Sequence, residues 1–317
     1  MVLIFLKKGV PNHRCLQDYQ TMHNKVQLSS GFVGVAFAVL AAVIFSFLNL
    51  AIRFSEPHLS VWHMIFGRSL FGVVFLMAAA RIGNIRLRGE SPLTLAALGI
   101  TGTIGILCLT VALLHIPLFQ ALILFYTYPA VAALVSPLLT DDRIRLSDWA
   151  CILLAFLGTF LILWSGNRIG FDLSSGHAAA LGASAAIGIT LTLIRRISSN
   201  HNALTPIFYI SMAGAVICFF PMIFSDSGAP SSAAGLSWIC AIGILAVCAH
   251  ISTNAALSQI TSPKVGIISM LEVFFGAVYG YLLFAEALGW STLTGGTLIM
   301  AASAGLVASS SDSEKNK

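Results

Sequence analysis

Arg68 and Glu272 are ionisable side chains set inside long apolar runs. An arginine in that setting costs at least ~2.5–3.5 kcal/mol on insertion scales, so it needs a partner or a water-filled cavity. One chemistry open to Arg68 is recognition of a carboxylate or phosphate. The other is structural, snorkelling outward or hydrogen-bonding neighbouring carbonyls. Glu272 can pair with Arg68, bind an amine or carry a proton, with a static ion pair as the plain alternative. Pro129 interrupts a further apolar run, where it removes one backbone hydrogen bond and frees the carbonyl near Phe125. Tyr126 and Tyr128 flank that kink and offer hydroxyls and ring faces. His250 and Asn254, spaced i,i+4, share a helix face. They either line a cavity or hold helices together, at about 0.6 kcal/mol each. The candidate substrate-binding residues are therefore Arg68, Tyr126, Tyr128, Pro129, His250, Asn254 and Glu272, with Glu272 also the proton-coupling candidate.

The elements that must carry these groups are membrane helices. Apolar stretches of roughly 20 residues, enough to cross ~30 Å of hydrocarbon, lie near 31–52, 61–80, 92–114, 117–139 and 147–166. Five more lie near 176–195, 205–225, 236–257, 264–284 and 289–308. Arg68 falls about seven residues into the second stretch, roughly 10 Å deep, and Glu272 falls near the middle of the ninth. Of the 17 Lys and Arg residues, fourteen fall before the first stretch or in every second gap, and Arg53 and Arg168 alone in the other gaps. Basic loops stay cytoplasmic, which places both termini inside the cell. The expected class is an all-α membrane protein with ten transmembrane helices.

Composition narrows the functions. Charged residues are 9% of the chain, against about 25% in soluble domains, and mean hydropathy is +0.91. The net charge of +5 reads as a topology signal, and without basic patches interleaved with exposed aromatics no nucleic acid is expected as partner. No CxxC or HExxH spacing suggests a metal site. Neither GxGxxG nor GxxxxGK[ST] occurs, which argues against direct nucleotide use; no cofactor is expected. Trp62 and His63 read as interfacial anchors. The order of Met1–Leu6 and Lys7–Lys8 is wrong for a signal peptide, and Met22 is an alternative translation start.

Sliding the chain by 144 residues lays Ala112-Leu113 on Ala256-Leu257, Leu138-Leu139 on Leu282-Leu283, Asp142 on Glu286, Ser147 on Ser291 and Leu154 on Leu298. Tyr128 falls on Glu272, so each half presents a polar group at one depth. Each half holds an odd number of stretches, so the second copy enters from the opposite face, the build of many secondary transporters.

The patterns Ala112-Leu113…Pro129-Ala130…Asp142 and Ala256-Leu257…Leu271-Glu272-Val273…Glu286, with Gly67-Arg68, resemble the two EamA repeats of the drug/metabolite transporter superfamily. The resemblance covers residues 31–308 and implies two inverted five-helix repeats, 31–166 and 176–308, between cytoplasmic tails 1–30 and 309–317. It also implies export or exchange of a small metabolite through a pocket lined by helices 1, 3, 4, 6, 8 and 9. Two departures stand out: Asp141-Asp142 where the first repeat usually has Glu, and Val273 where Pro is common, which bears on how the ninth helix bends. Arg68 with Glu272 would suit a zwitterion such as an amino acid. A nucleoside-like cofactor such as S-adenosylmethionine is the alternative substrate, and a membrane-embedded lipid-modifying enzyme the alternative class. The expected partners are a small-molecule substrate and the lipid bilayer, in the inner membrane, with a homodimer left open.

Overall fold

The computed structural model describes the backbone of residues 13–83, 87, 89, 91–139, 146–164, 174–197, 204–224, 233–257, 259–260, 262–286 and 289–315. Within those ranges the side chains of 13–31, 146, 163, 262–263 and 307–315 are not described. Asp141, Asp142 and the basic residues Lys7, Lys8, Arg86, Arg88, Arg143, Arg145, Arg168 and Lys317 lie outside the described residues.

The described chain runs α1 (His13–Ser55), α2 (Val61–Ile82), α3 (Pro92–His115), α4 (Leu118–Phe125), α5 (Tyr128–Leu139) and α6 (Leu146–Leu163). It continues through α7 (Ser175–Ile197), α8 (Leu204–Phe224), α9 (Ala233–Leu257), α10 (Ser262–Ser269), α11 (Leu271–Phe284) and α12 (Trp290–Lys315). No strand occurs among the described residues. An all-helical build is what hydrocarbon demands, because a helix satisfies its own backbone polar groups. Among the described residues, eight segments are long and apolar enough to cross a bilayer, and Ser147–Ile162 is a shorter apolar helix. Their large apolar side chains remain widely exposed, Phe32, Val74, Phe220 and Leu282 among them, as a lipid-facing surface requires.

Two of the expected continuous helices are broken. The run 117–139 divides into α4 and α5 at Tyr126–Thr127, and the run 264–284 divides into α10 and α11 at Met270. Pro129 is thus not the centre of a kink but the second residue of α5, where a missing N–H costs little.

Helix α3 packs on α7 and α1 on α9; α2 packs on α8 and α6 on α12. Further contacts join α2 to α9, α3 to α8, α5 to α7 and α1 to α11. Small residues set the closest crossings. A Cβ added to Gly158 would lie 2.5 Å from Gly295 O and 2.8 Å from Ile299 Cγ1. One added to Gly295 would lie 2.5 Å from Gly158 O and 2.8 Å from Ile162 Cγ1. The α2–α8 crossing repeats the reciprocity, with Gly72 against Ser211 and Gly214 against Ser69. In both crossings a step forward on one helix meets a step backward on the other, so each pair runs antiparallel.

The main core gathers around α4, with Leu118, Leu122, Ile123, Leu124 and Tyr126 buried against Leu48, Met64, Ile242, Val273 and Ile299. The two breaks therefore lie in the interior, not at the lipid surface. His63 is also interior: it is buried and its Nδ1 lies 2.6 Å from Ser60 Oγ, so it is no interfacial anchor.

Candidate functional site

The breaks release backbone carbonyls, and the liberated groups make the site. At the first break Pro129 has no N–H for Phe125 O, the i−4 carbonyl. Ala130 N donates to Thr127 O at 3.0 Å, leaving Tyr126 O to accept from Ser303 Oγ of α12 at 2.7 Å. Thr127 Oγ1 donates to Leu124 O and lies 2.6 Å from Ser184 Oγ of α7. At the second break Val273 N donates to Met270 O at 3.0 Å, so Ser269 O loses its i+4 donor. Tyr126 Oη reaches that carbonyl at 2.6 Å. Phe125 and Ser269 are equivalent under the 144-residue shift. The same carbonyl is thus freed twice, once by proline chemistry and once by a redirected N–H.

Glu272, in the first turn of α11, is buried. Asn49 Nδ2 of α1 donates to its Oε1 at 2.6 Å, and Tyr126 Oη lies 3.0 Å from its Oε2. Tyr126 sits in a ring cluster, edge-on to Phe125 and tilted against Tyr128, at centroid distances of 5.7 Å from each. The hydroxyl is therefore held at a fixed angle between the carboxyl and the freed carbonyl.

Arg68 is not paired with Glu272: among the described residues the Arg53–Glu286 ion pair is the one found, and no hydrogen bond to the Arg68 guanidinium occurs. Arg68 keeps part of its surface accessible although α2 is packed on α8 and α9. It lies within electrostatic reach of both Glu272 and His250. His250 is half-buried and meets the Phe45 ring edge-on at 5.6 Å. Tyr128 is half-buried at the start of α5, within electrostatic reach of Glu272. Asn254 lies one turn beyond His250 on α9, half-buried, and no contact brings it to the Glu272 cluster. The structure thus unites Glu272, Tyr126 and Tyr128, sets Arg68 and His250 around them, and leaves Asn254 a turn away. Pro129 is buried.

Asn49 was missed in the sequence, although an amide within an otherwise apolar run is a visible signal. So was a second cluster. Arg53 Nη1 donates to Leu113 O at 2.5 Å and to Ile116 O at 2.7 Å, and Nη2 lies 3.3 Å from Glu286 Oε1. Leu118 N donates to Glu286, 2.9 Å from Oε2. One cation and one anion thereby satisfy the orphan carbonyls ending α3 and the first amide of α4. Among the described residues, no group of three or more His, Cys, Asp or Glu could hold a metal.

A model of the EamA-like transporter family matches residues 32–164 and again 174–308. The chain is 27% identical to the pseudopaline exporter CntI of Pseudomonas aeruginosa over 271 residues, covering 85% of this chain and 94% of that one. It is 30% identical to a riboflavin transporter of Rhizobium johnstonii over 197 residues, 57% of this chain and 62% of the relative. A solved crystal structure covering 87% of this chain and 96% of its own aligns with TM-score 0.58 at 18% identity, a likeness of fold.

Proposed function

Because the chain belongs to the EamA-like transporter family, we propose that it is a secondary carrier that moves a small metabolite across the membrane by alternating access. It is a multi-pass membrane transporter and not an enzyme. One observation carries the finer reading: two helices are interrupted at equivalent positions, Tyr126–Thr127 and Met270, around the buried Glu272. Discontinuous helices at matched places in two halves are how carriers build a midplane site.

The packing supports two inverted five-helix repeats, 31–166 and 176–308. Exchanging the halves turns α3 on α7 into α9 on α1, α2 on α9 into α8 on α3, and α5 on α7 into α11 on α1; each partner contact is present. The equivalent helices α6 and α12, and α2 and α8, cross antiparallel, as copies threaded in opposite senses require. On this reading ten helices span the bilayer, α4 with α5 counting as one and α10 with α11 as another. The fourteen-to-two distribution of basic residues then sets both termini in the cytoplasm of an inner-membrane protein.

The substrate is a small metabolite with an anionic group. Arg68, without a hydrogen-bond partner among the described residues, offers a guanidinium fork for a carboxylate. His250, within electrostatic reach of Arg68, and Phe45 beside it offer aromatic surface, as does Tyr128 in the Tyr126 cluster. An amino-acid-like solute fits these groups, and the likeness to a pseudopaline exporter favours outward movement. The test is counterflow: purified protein in liposomes preloaded with one unlabelled amino acid at a time, challenged with the labelled form. Trans-stimulated entry for at least one member supports a carrier. Entry that is never stimulated from the opposite side, for any solute of an amino-acid and nucleoside panel, removes the reading.

A further inference from the structure

Tyr126 Oη has one proton and two neighbours that ask for it. Ser269 O, 2.6 Å away, is a carbonyl and can only accept. Glu272 Oε2, 3.0 Å away, accepts when ionised and can donate when it carries a proton. The shorter contact goes to the carbonyl, so the phenol proton lies there, and the contact with Glu272 becomes a hydrogen bond only if the carboxyl donates. Asn49 Nδ2 fixes the other oxygen, Oε1, as an acceptor, which directs any carboxyl proton to Oε2. Tyr126 closes the first interrupted helix, and Ser269 and Glu272 straddle the second.

We propose that Tyr126 is a single-proton switch that converts the charge state of Glu272 into a bond made or broken across the Met270 break. With Glu272 neutral, Oε2–H donates to Tyr126 Oη and Tyr126 donates to Ser269 O, tying the end of α4 to the end of α10. When Glu272 gives its proton to water or a solute, the carboxylate becomes the stronger acceptor. The Tyr126 O–H turns to Oε2, and Ser269 O is left without that donor. The tie between the two broken helices is lost with the proton, and no other atom changes hands. Tyr126 is thus a positioning residue acting through Glu272, and proton binding is coupled to a hinge between α4 and α10. The groups facing Glu272 are the Asn49 amide from α1, Arg68 from α2, and Tyr126 and Tyr128 from the first break. His250 on α9 lies within electrostatic reach of Arg68, and Lys264 on α10 is exposed.

The coupling to transport rests on the carrier reading; the switch itself does not, and it is tested without any solute. Infrared difference spectra of the reconstituted protein are recorded across about pH 4 to pH 9, bracketing ordinary and perturbed carboxyl titrations. The expected result is a protonated-carboxyl C=O band that titrates and is absent from Glu272→Gln. A tyrosine C–O band, absent from Tyr126→Phe, changes in step with it. In Tyr126→Phe the carboxyl band moves to higher frequency, its donor bond lost, and its midpoint shifts by about one pH unit. In Glu272→Gln, whose amide donates at every pH, the tyrosine band stays in its low-pH form throughout. A tyrosine band that ignores the carboxyl titration overturns the switch, and so does a carboxyl band identical in Tyr126→Phe. The absence of any band assignable to Glu272 overturns it too. Should the switch appear while no solute moves, the carrier reading fails alone.

Discussion

Arg53 and Glu286 stand 3.3 Å apart, and between them they close both sides of the turn that joins α3 to α4. The guanidinium takes the carbonyls of Leu113 and Ile116, and the carboxylate takes the amide of Leu118. Arg53 comes from the end of α1 and Glu286 from just beyond α11, so the pair fastens the two halves of the chain at one end of the bundle. The Phe284 ring lies 5.2 Å from the Arg53 guanidinium carbon and limits water around it.

Glu286→Ala should therefore destabilise the protein by about 2–3 kcal/mol, because a largely buried cation loses its counter-ion and a helix amide its acceptor together. Glu286→Gln keeps an acceptor for Leu118 N and should lose about half as much. Thermal unfolding in detergent checks the order. Equal midpoints for the two variants would contradict the capping role.

The crossing of α6 and α12 makes a steric prediction. A methyl group at Gly158 or Gly295 meets the backbone carbonyl of the opposite glycine at 2.5 Å, and neither carbonyl can swing aside. Gly158→Ala and Gly295→Ala should each cost about 1–3 kcal/mol and lower the yield of folded protein alike, since the contact is reciprocal. Size-exclusion profiles of the paired variants give the comparison; normal behaviour of either one would deny the close approach.

Arg68 carries no hydrogen bond or ion pair among the described residues, so its removal should spare the fold. Arg68→Lys should express normally and bind an anionic solute about tenfold less well, because an ammonium cannot form the bidentate fork. Loss of folded protein instead would assign Arg68 a scaffolding role. Binding is read by solute-dependent shifts in the unfolding midpoint.

Asn49→Ala removes the donor at Glu272 Oε1 and leaves a buried oxygen unsatisfied, at about 1–3 kcal/mol. A lowered unfolding midpoint that is restored by combining it with Glu272→Leu would show that the two side chains act as one unit.

The helical class, eight of the apolar spans among the described residues and an interruption of the fourth run at its proline were legible in the residues. Long apolar runs need no tertiary information to be recognised, and Pro129 marks its break chemically. The break at Met270 was not legible, because Val273 has an N–H and would continue a helix. What accompanies the opening there is Tyr126, 143 positions away in sequence, taking the carbonyl that Val273 leaves. Likewise Arg68 and Glu272 were each visible as costly charges, yet the partners of Glu272 are Asn49 and Tyr126 and not Arg68. Residue types announce that a buried charge needs company; only packing decides which company it keeps. Glu286 was visible as a repeat match with Asp142, but its bond to Leu118 depends on a turn far away in the chain.

The most direct measurement is the ratio of solute flux with and without a pH gradient in proteoliposomes, for the native chain and for Glu272→Gln. A carrier that moves a proton through Glu272 should lose its response to the gradient, with gradient-driven accumulation falling about tenfold or more in the variant. An undiminished ratio in Glu272→Gln, with both proteins folded and equally reconstituted, would place the coupling elsewhere and contradict the account.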